Sequence, residues 1–111
     1  MILEIRQSDF FSADLNKQLE WYRKHAGSEV AARYVDAVQV TVEMLARQPD
    51  LGRPRFARWP ELTGIRSFRV HAPYQRHLVF YRFDDKYLAV ERIIHGARDL
   101  PRRLLQSPFD E

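Results

Sequence analysis

The residues of this 111-residue chain that could do chemistry are three of its four histidines and a run of arginines. His71, His77 and His95 fall on strand-like stretches. No carboxylate is spaced among them as a metal-binding set requires, so no metal site is expected. The arginines are more distinctive. From Arg53 to Arg82 there are seven (Arg53, Arg55, Arg58, Arg66, Arg69, Arg76 and Arg82) against the single acid Glu61, with Phe56, Trp59, Phe68 and Tyr74 between them. Cations interleaved with aromatics suit a nucleic-acid or acidic-protein surface. RNA cleavage without a metal further needs a base for the 2′-hydroxyl, cations for the charged phosphorane and an acid for the leaving oxygen. His95 or His77 could exchange those protons, and Arg76 or Arg98 could clamp the phosphate. The alternative is a solvated basic face paired with Glu61, Glu91 and Asp99.

Composition narrows the field. Fifteen of the 18 basic residues are arginine, which favours planar, bidentate contact with phosphate or carboxylate or else reflects a GC-rich genome. The net charge of +3 is uneven: residues 1–50 carry 6 basic and 8 acidic groups, residues 51–111 carry 12 and 7. There is no P-loop, nucleophile elbow or glycine-rich phosphate loop, so kinase and hydrolase chemistry have no support and no cofactor is called for. The chain has no cysteine, no apolar run of membrane-spanning length and no secretory leader pattern, so a soluble cytoplasmic protein without membrane contact is expected. Its length suits a single domain over residues 1–111.

These side chains have to be positioned by simple elements. Ile2, Leu3 and Ile5 suggest a short first strand. Ser8 is a helix N-cap with Asp9 in the first turn, and Leu15, Leu19, Tyr22 and Ala26 follow at helical spacing up to Gly27. Ser28 is the expected cap of a second helix, whose stripe Ala31, Tyr34, Val35, Val38, Val42 and Leu45 runs to Pro49. "DLGRPRFARWPELTG" reads as a loop pinned by Leu51, Phe56, Trp59 and Leu62. "IRSFRV", "RHLVFYRF" and "YLAVERIIH" read as three strands, the last two joined by a tight turn at Asp84-Asp85. The order β-α-α-β-β-β predicts an α+β fold: an N-terminal strand and an antiparallel helix hairpin packed on a small antiparallel β-sheet. Val79, Tyr81 and Phe83 point one way along their strand and Leu78, Phe80 and Arg82 the other, so both faces are partly apolar. The second face is either an open binding surface or the seat of Leu100, Leu104, Leu105 and Phe109 from the C-terminal tail.

The fragments "QPDLGRPR", "GIRSF", "HLVFYRF" and "IIHGARDLP", in that order, together with "ADL" at Ala13–Leu15, resemble the RelE/ParE toxin superfamily of type II toxin–antitoxin modules, on the ParE side. The resemblance implies a cytoplasmic growth inhibitor neutralised by a ParD-like antitoxin whose C-terminal segment wraps the toxin. Within the superfamily, RelE-like members cleave mRNA on the ribosome and ParE-like members poison DNA gyrase. Arg98 matches the arginine kept after the last strand. Leu104, however, stands where the RelE pattern places a tyrosine, and the RelE-type lysine pair is missing between Lys24 and Lys86. Gyrase is therefore the expected target. A RelE-like endonuclease, in which His95 resembles a histidine of some members, and an inactive homologue acting as a binding module are the alternatives. On this reading Arg66, Arg69, Arg76, Arg82, Arg98 and Arg102 face the target, and Leu19, Trp21, Tyr22, Leu78 and Phe80 face the antitoxin.

Overall fold

The computed structural model describes residues 2–96 and 99–109. Its elements are β1 (Glu4–Gln7), α1 (Asp9–Ala26), α2 (Ser28–Arg47), β2 (Arg53–Pro54), β3 (Arg66–Arg69), β4 (His77–Phe83), β5 (Tyr87–His95) and α3 (Leu100–Leu105), with single 3-10 turns at Pro49–Leu51 and Pro60–Leu62. Ser8 begins α1 as its composition suggests: its Oγ accepts from Phe11 N at 3.0 Å and donates to Glu91 O at 2.7 Å. The cap therefore also fastens the helix to β5. Gly27 alone separates the two helices, at φ 95° in the left-handed region where a side chain is strained. Ser28 is thus the first residue of α2 rather than its cap.

α2 buries Ala31, Tyr34, Val38, Thr41, Val42, Leu45 and Ala46, a continuous stripe three or four residues apart. α1 differs from expectation. Its most deeply buried residues are Phe11 and Asp14, Leu15 and Tyr22 are only partly covered, and Ala26 is exposed. The reason is that α1 lies against the edge of β5 with its first two turns, so the burial maximum falls near its N-terminus.

The five strands are ordered β1-β5-β4-β3-β2. β1 runs parallel to β5, with Ile5 opposite Leu88, and the other pairs are antiparallel. The sheet is therefore mixed rather than antiparallel throughout, because the helix hairpin carries the chain away after β1 and the last strand returns beside the first. At the expected turn, the Asp84 carboxylate accepts from Lys86 N and Tyr87 N, each at 2.8 Å. Pairing of β4 with β5 skips Glu91, so a bulge sets Phe80 opposite Arg92 and Tyr81 opposite Val90.

One apolar cluster, including Phe11, Tyr34, Leu45, Val79, Tyr81, Leu88 and Ile93, fills the space between helices and sheet. A second, of Leu62, Ile65, Phe80, Ile94, Leu100 and Leu104, fills the opposite face. The tail helix α3 and the Pro60–Leu62 turn thus cover most of the surface that the alternation of β4 leaves open. Phe80, expected to meet a partner there, is 0% exposed. Its enclosure contributes about 1.5–3 kcal/mol to the fold.

Candidate functional site

The register of β4 and β5 places His77 beside His95, ring centroids 4.8 Å apart. Their environments are opposite. His77 is 1% exposed beneath the helix hairpin, with Nε2 3.0 Å from the Tyr22 hydroxyl and Nδ1 3.5 Å from that of Tyr34. Burial, reinforced by His95, lowers its pKa to about 4, so the ring is neutral at physiological pH. It is a buried polar strut between sheet and helices, its ring nitrogens facing the Tyr22 and Tyr34 hydroxyls rather than solvent. His95 is exposed at the end of β5, and its carbonyl accepts from Arg103 Nη2 at 2.8 Å. It borders a polar cleft of about 260 Å³ that also involves Asp14, Lys17, Gln18 and Ser107. His71 is elsewhere, its Nδ1 2.7 Å from Thr41 Oγ1. Among the described residues, no three histidine, aspartate or glutamate side chains gather closely enough to hold a metal ion.

The arginines divide into those the fold consumes and those it presents. Arg82 donates to both Glu91 carboxylate oxygens at 3.1 Å, to Thr63 O at 3.0 Å and to Glu61 O at 2.7 Å. Arg66 donates to Gly52 O at 2.7 Å and to Asp50 O at 3.3 Å. Both, expected to face a target, are partly exposed and brace the loop between α2 and β3 against the sheet. Arg69, Arg76 and Arg102 are exposed. Arg76 neighbours the turn after β5, because its carbonyl accepts from Gly96 N at 3.0 Å. Arg98 lies outside the described residues.

Sequence reasoning missed the most tightly held arginine, Arg92. With Asp14 it forms a buried bidentate pair, Nε–Oδ2 at 2.7 Å and Nη2–Oδ1 at 2.9 Å, the two residues only 7% and 8% exposed. Asp14 Oδ2 also accepts from Ile93 N at 3.1 Å, satisfying a β5 edge that β1 does not reach. Arg92 Nη1 donates to Arg103 O, Leu104 O and Gln106 O at 3.1, 3.0 and 2.7 Å, which caps the end of α3. The available signal was a charge among Val90, Ile93 and Ile94, where a lone cation must find a buried acid.

Of the residues expected to meet an antitoxin, Trp21 is 54% exposed, with the His25 ring tilted against it, centroids 4.8 Å apart. Leu19, Tyr22 and Leu78 are half-buried. An apolar groove of about 440 Å³ runs between β1 and the helix hairpin, floored by Phe11, Leu15, Val35, Val38 and Val42. No tyrosine accompanies His95 beyond the last strand. Leu104 is 6% exposed and packs with Phe80, and the hydroxyls of Tyr74 and Tyr81 donate to Val30 O and Pro49 O.

This geometry agrees with known proteins. The family model of the ParE toxin of the type II toxin–antitoxin system parDE matches residues 5–100. A structure of a chromosomal ParDE system from P. aeruginosa superposes with a TM-score of 0.69 at 20% identity, covering 86% of this chain and 98% of that one. The toxin–antitoxin complex RelBE2 from Mycobacterium tuberculosis gives a TM-score of 0.57 at 22% identity, with 86% and 99% covered. No curated protein matches the chain. With its helix hairpin and nearly all of its five-stranded sheet inside a matched span that takes in most of its length, this chain belongs to the ParE toxin family of type II toxin–antitoxin systems.

Proposed function

We propose that the protein inhibits growth by binding DNA gyrase rather than by cutting RNA, and that a cognate ParD-like antitoxin neutralises it. The observation that carries this reading is the shortage of proton-transfer groups. Of the paired histidines, His77 has both ring nitrogens held by tyrosine hydroxyls beneath the helices, which leaves His95 alone at the surface. Leu104 sits in the second apolar cluster where a RelE-like enzyme would need a tyrosine. Metal-free RNA cleavage requires both a base and an acid within about 3 Å of the reacting oxygens. A protein-binding surface requires neither. Arg76, beside the turn after β5, and Arg102, in α3, are assigned to the gyrase surface together with Arg98, which falls between β5 and α3 in the sequence.

The antitoxin reading is supported by the apolar groove between β1 and the helix hairpin and by exposed Trp21. A segment that folds on binding and lays aliphatic side chains there would gain the burial this small domain leaves unfilled. Growth after induction without antitoxin separates the two targets. His95→Ala should leave inhibition nearly intact and Arg98→Ala should relieve it. Full relief by His95→Ala, accompanied by cuts in ribosome-bound mRNA, would instead favour the endonuclease reading.

A further inference from the structure

β1 stands at one end of the strand order, bonded to β5 on one side and, among the described residues, to no strand on the other. Glu4 N donates to Lys86 O at 2.9 Å and Ser8 N to Val90 O at 3.0 Å, so Glu4, Arg6 and Ser8 turn their backbone groups toward β5. Residues between them turn theirs outward. Leu3 N donates to Ala46 O at 2.9 Å, which closes that end of the edge, whereas the outward amides and carbonyls of Ile5 and Gln7 have no partner among the described residues. Side chains alternate as well. Ile5 packs on the cluster between helices and sheet, so Glu4 and Arg6 lie on the opposite face, 69% and 60% exposed and 3.5 Å apart. The Arg6 guanidinium is held in place over the Tyr87 ring, 3.6 Å from its centre.

We infer that β1 pairs antiparallel with β1 of a second copy of this chain, about a two-fold axis at Ile5. In that register Ile5 exchanges both of its outward hydrogen bonds with Ile5 of the second copy. On either side, Glu4 of one copy then stands opposite Arg6 of the other, at positions without hydrogen bonds, where side chains come closest. Neighbouring registers lack this match. An axis at Glu4 sets two carboxylates against each other, and one at Arg6 sets two guanidinium groups together. An axis at Gln7 brings Ile5 against Asp9, where α1 has already begun. Charges commonly guard an edge strand by repelling a second strand, but opposite charges two residues apart attract one in this register. The two Ile5 side chains meet on the helix side and leave water together. The seam is short, so the dimer is a weak one. The groove assigned to the antitoxin is bordered by Ile5 and Gln7, so the pair belongs to the free toxin. Its formation requires neither the antitoxin nor the gyrase reading.

Sedimentation equilibrium of the free full chain at low salt, over a wide range of concentration, reads the self-association. E4R and R6E each place like charges across the seam and should weaken it about tenfold or more. The exchange E4R/R6E restores opposite charges in reversed order and should return association close to wild type. R33E, a charge reversal on exposed α2, should change nothing. Recovery in the double variant cannot come from misfolding, and circular dichroism checks each single variant. A second readout uses the absence of cysteine from the chain. Residues paired through two hydrogen bonds have Cα atoms about 5.5 Å apart, within disulfide range, so Ile5→Cys should cross-link two copies under mild oxidant and Gln7→Cys should not. A chain that stays monomeric at every concentration would overturn the inference. So would association that E4R and R6E leave unchanged, a double variant as weak as the single ones, or cross-linking through Gln7→Cys in preference to Ile5→Cys.

Discussion

Replacing Asp14 by alanine tests the buried pair on which the C-terminal half depends. The substitution leaves the Arg92 guanidinium enclosed without its carboxylate and strips Ile93 N–H of its acceptor. Breaking one partner of a buried ion pair costs about 3–5 kcal/mol. A domain of this size is stable by about 5–15 kcal/mol, so the loss is about a fifth of the total or more. At about 4–8 °C per kcal/mol the melting temperature should fall by at least ~12 °C. Because Arg92 Nη1 also holds three carbonyls at the end of α3, the loss should be felt first there. Hydrogen exchange should show α3 opening before β4 and β5. Urea denaturation followed by far-UV circular dichroism gives the global figure. The double replacement Asp14→Leu with Arg92→Met, which removes both charges, should recover most of the stability but not the protection of α3. A single Asp14→Ala protein within about 0.5 kcal/mol of wild type would refute the assignment of this pair as the anchor of the tail.

Stability should depend on pH through His77. Its pKa is about 4 in the fold against 6.5 for the ordinary group, so the unfolded chain binds the proton first as pH falls. The contribution is therefore complete above about pH 6.5 and is lost toward pH 4, amounting to about 3 kcal/mol. Urea midpoints at pH 7 and 4.5 should differ less in His77→Gln than in wild type, and equal differences would remove the strut from the account. Gly52→Ala should cost about 1–3 kcal/mol, because a methyl group there would overlap the Tyr81 hydroxyl that accepts from Gly52 N at 2.8 Å and donates to Pro49 O at 2.6 Å. Pairing it with Tyr81→Phe should recover part of the loss if the clash is the cause. Phe80→Ala should destabilise by about 3–5 kcal/mol, and a merely weakened antitoxin complex with unaltered stability would mean that the tail-side cluster is not a core.

The sequence announced elements whose pattern is local and hid what depends on partners far along the chain. The α2 stripe and the Asp84 turn are set by periodicity and by a side chain reaching two and three residues ahead, so both were readable. The parallel pairing of β1 with β5 was not, because Ile5 and Leu88 come together only after the helix hairpin returns the chain. The bulge that skips Glu91 has no strong local signature. For the site, the arginine-rich character of residues 53–82 was plain, but its division was hidden: Arg82 and Arg69 look alike until Glu91 and the Glu61 and Thr63 carbonyls prove to surround one of them. His77 looked as available as His95 because exposure is decided by Tyr22 and Tyr34, which lie 55 and 43 residues away.

Purified toxin added to gyrase and supercoiled or relaxed plasmid, with and without ATP, tests the central claim most directly. Inhibition of supercoiling, accumulation of cleaved gyrase–DNA complexes and relief of both by the antitoxin is the predicted result. Arg98→Ala should be weaker than His95→Ala. Unimpaired supercoiling at toxin concentrations that yield codon-positioned cuts in ribosome-bound mRNA would contradict it.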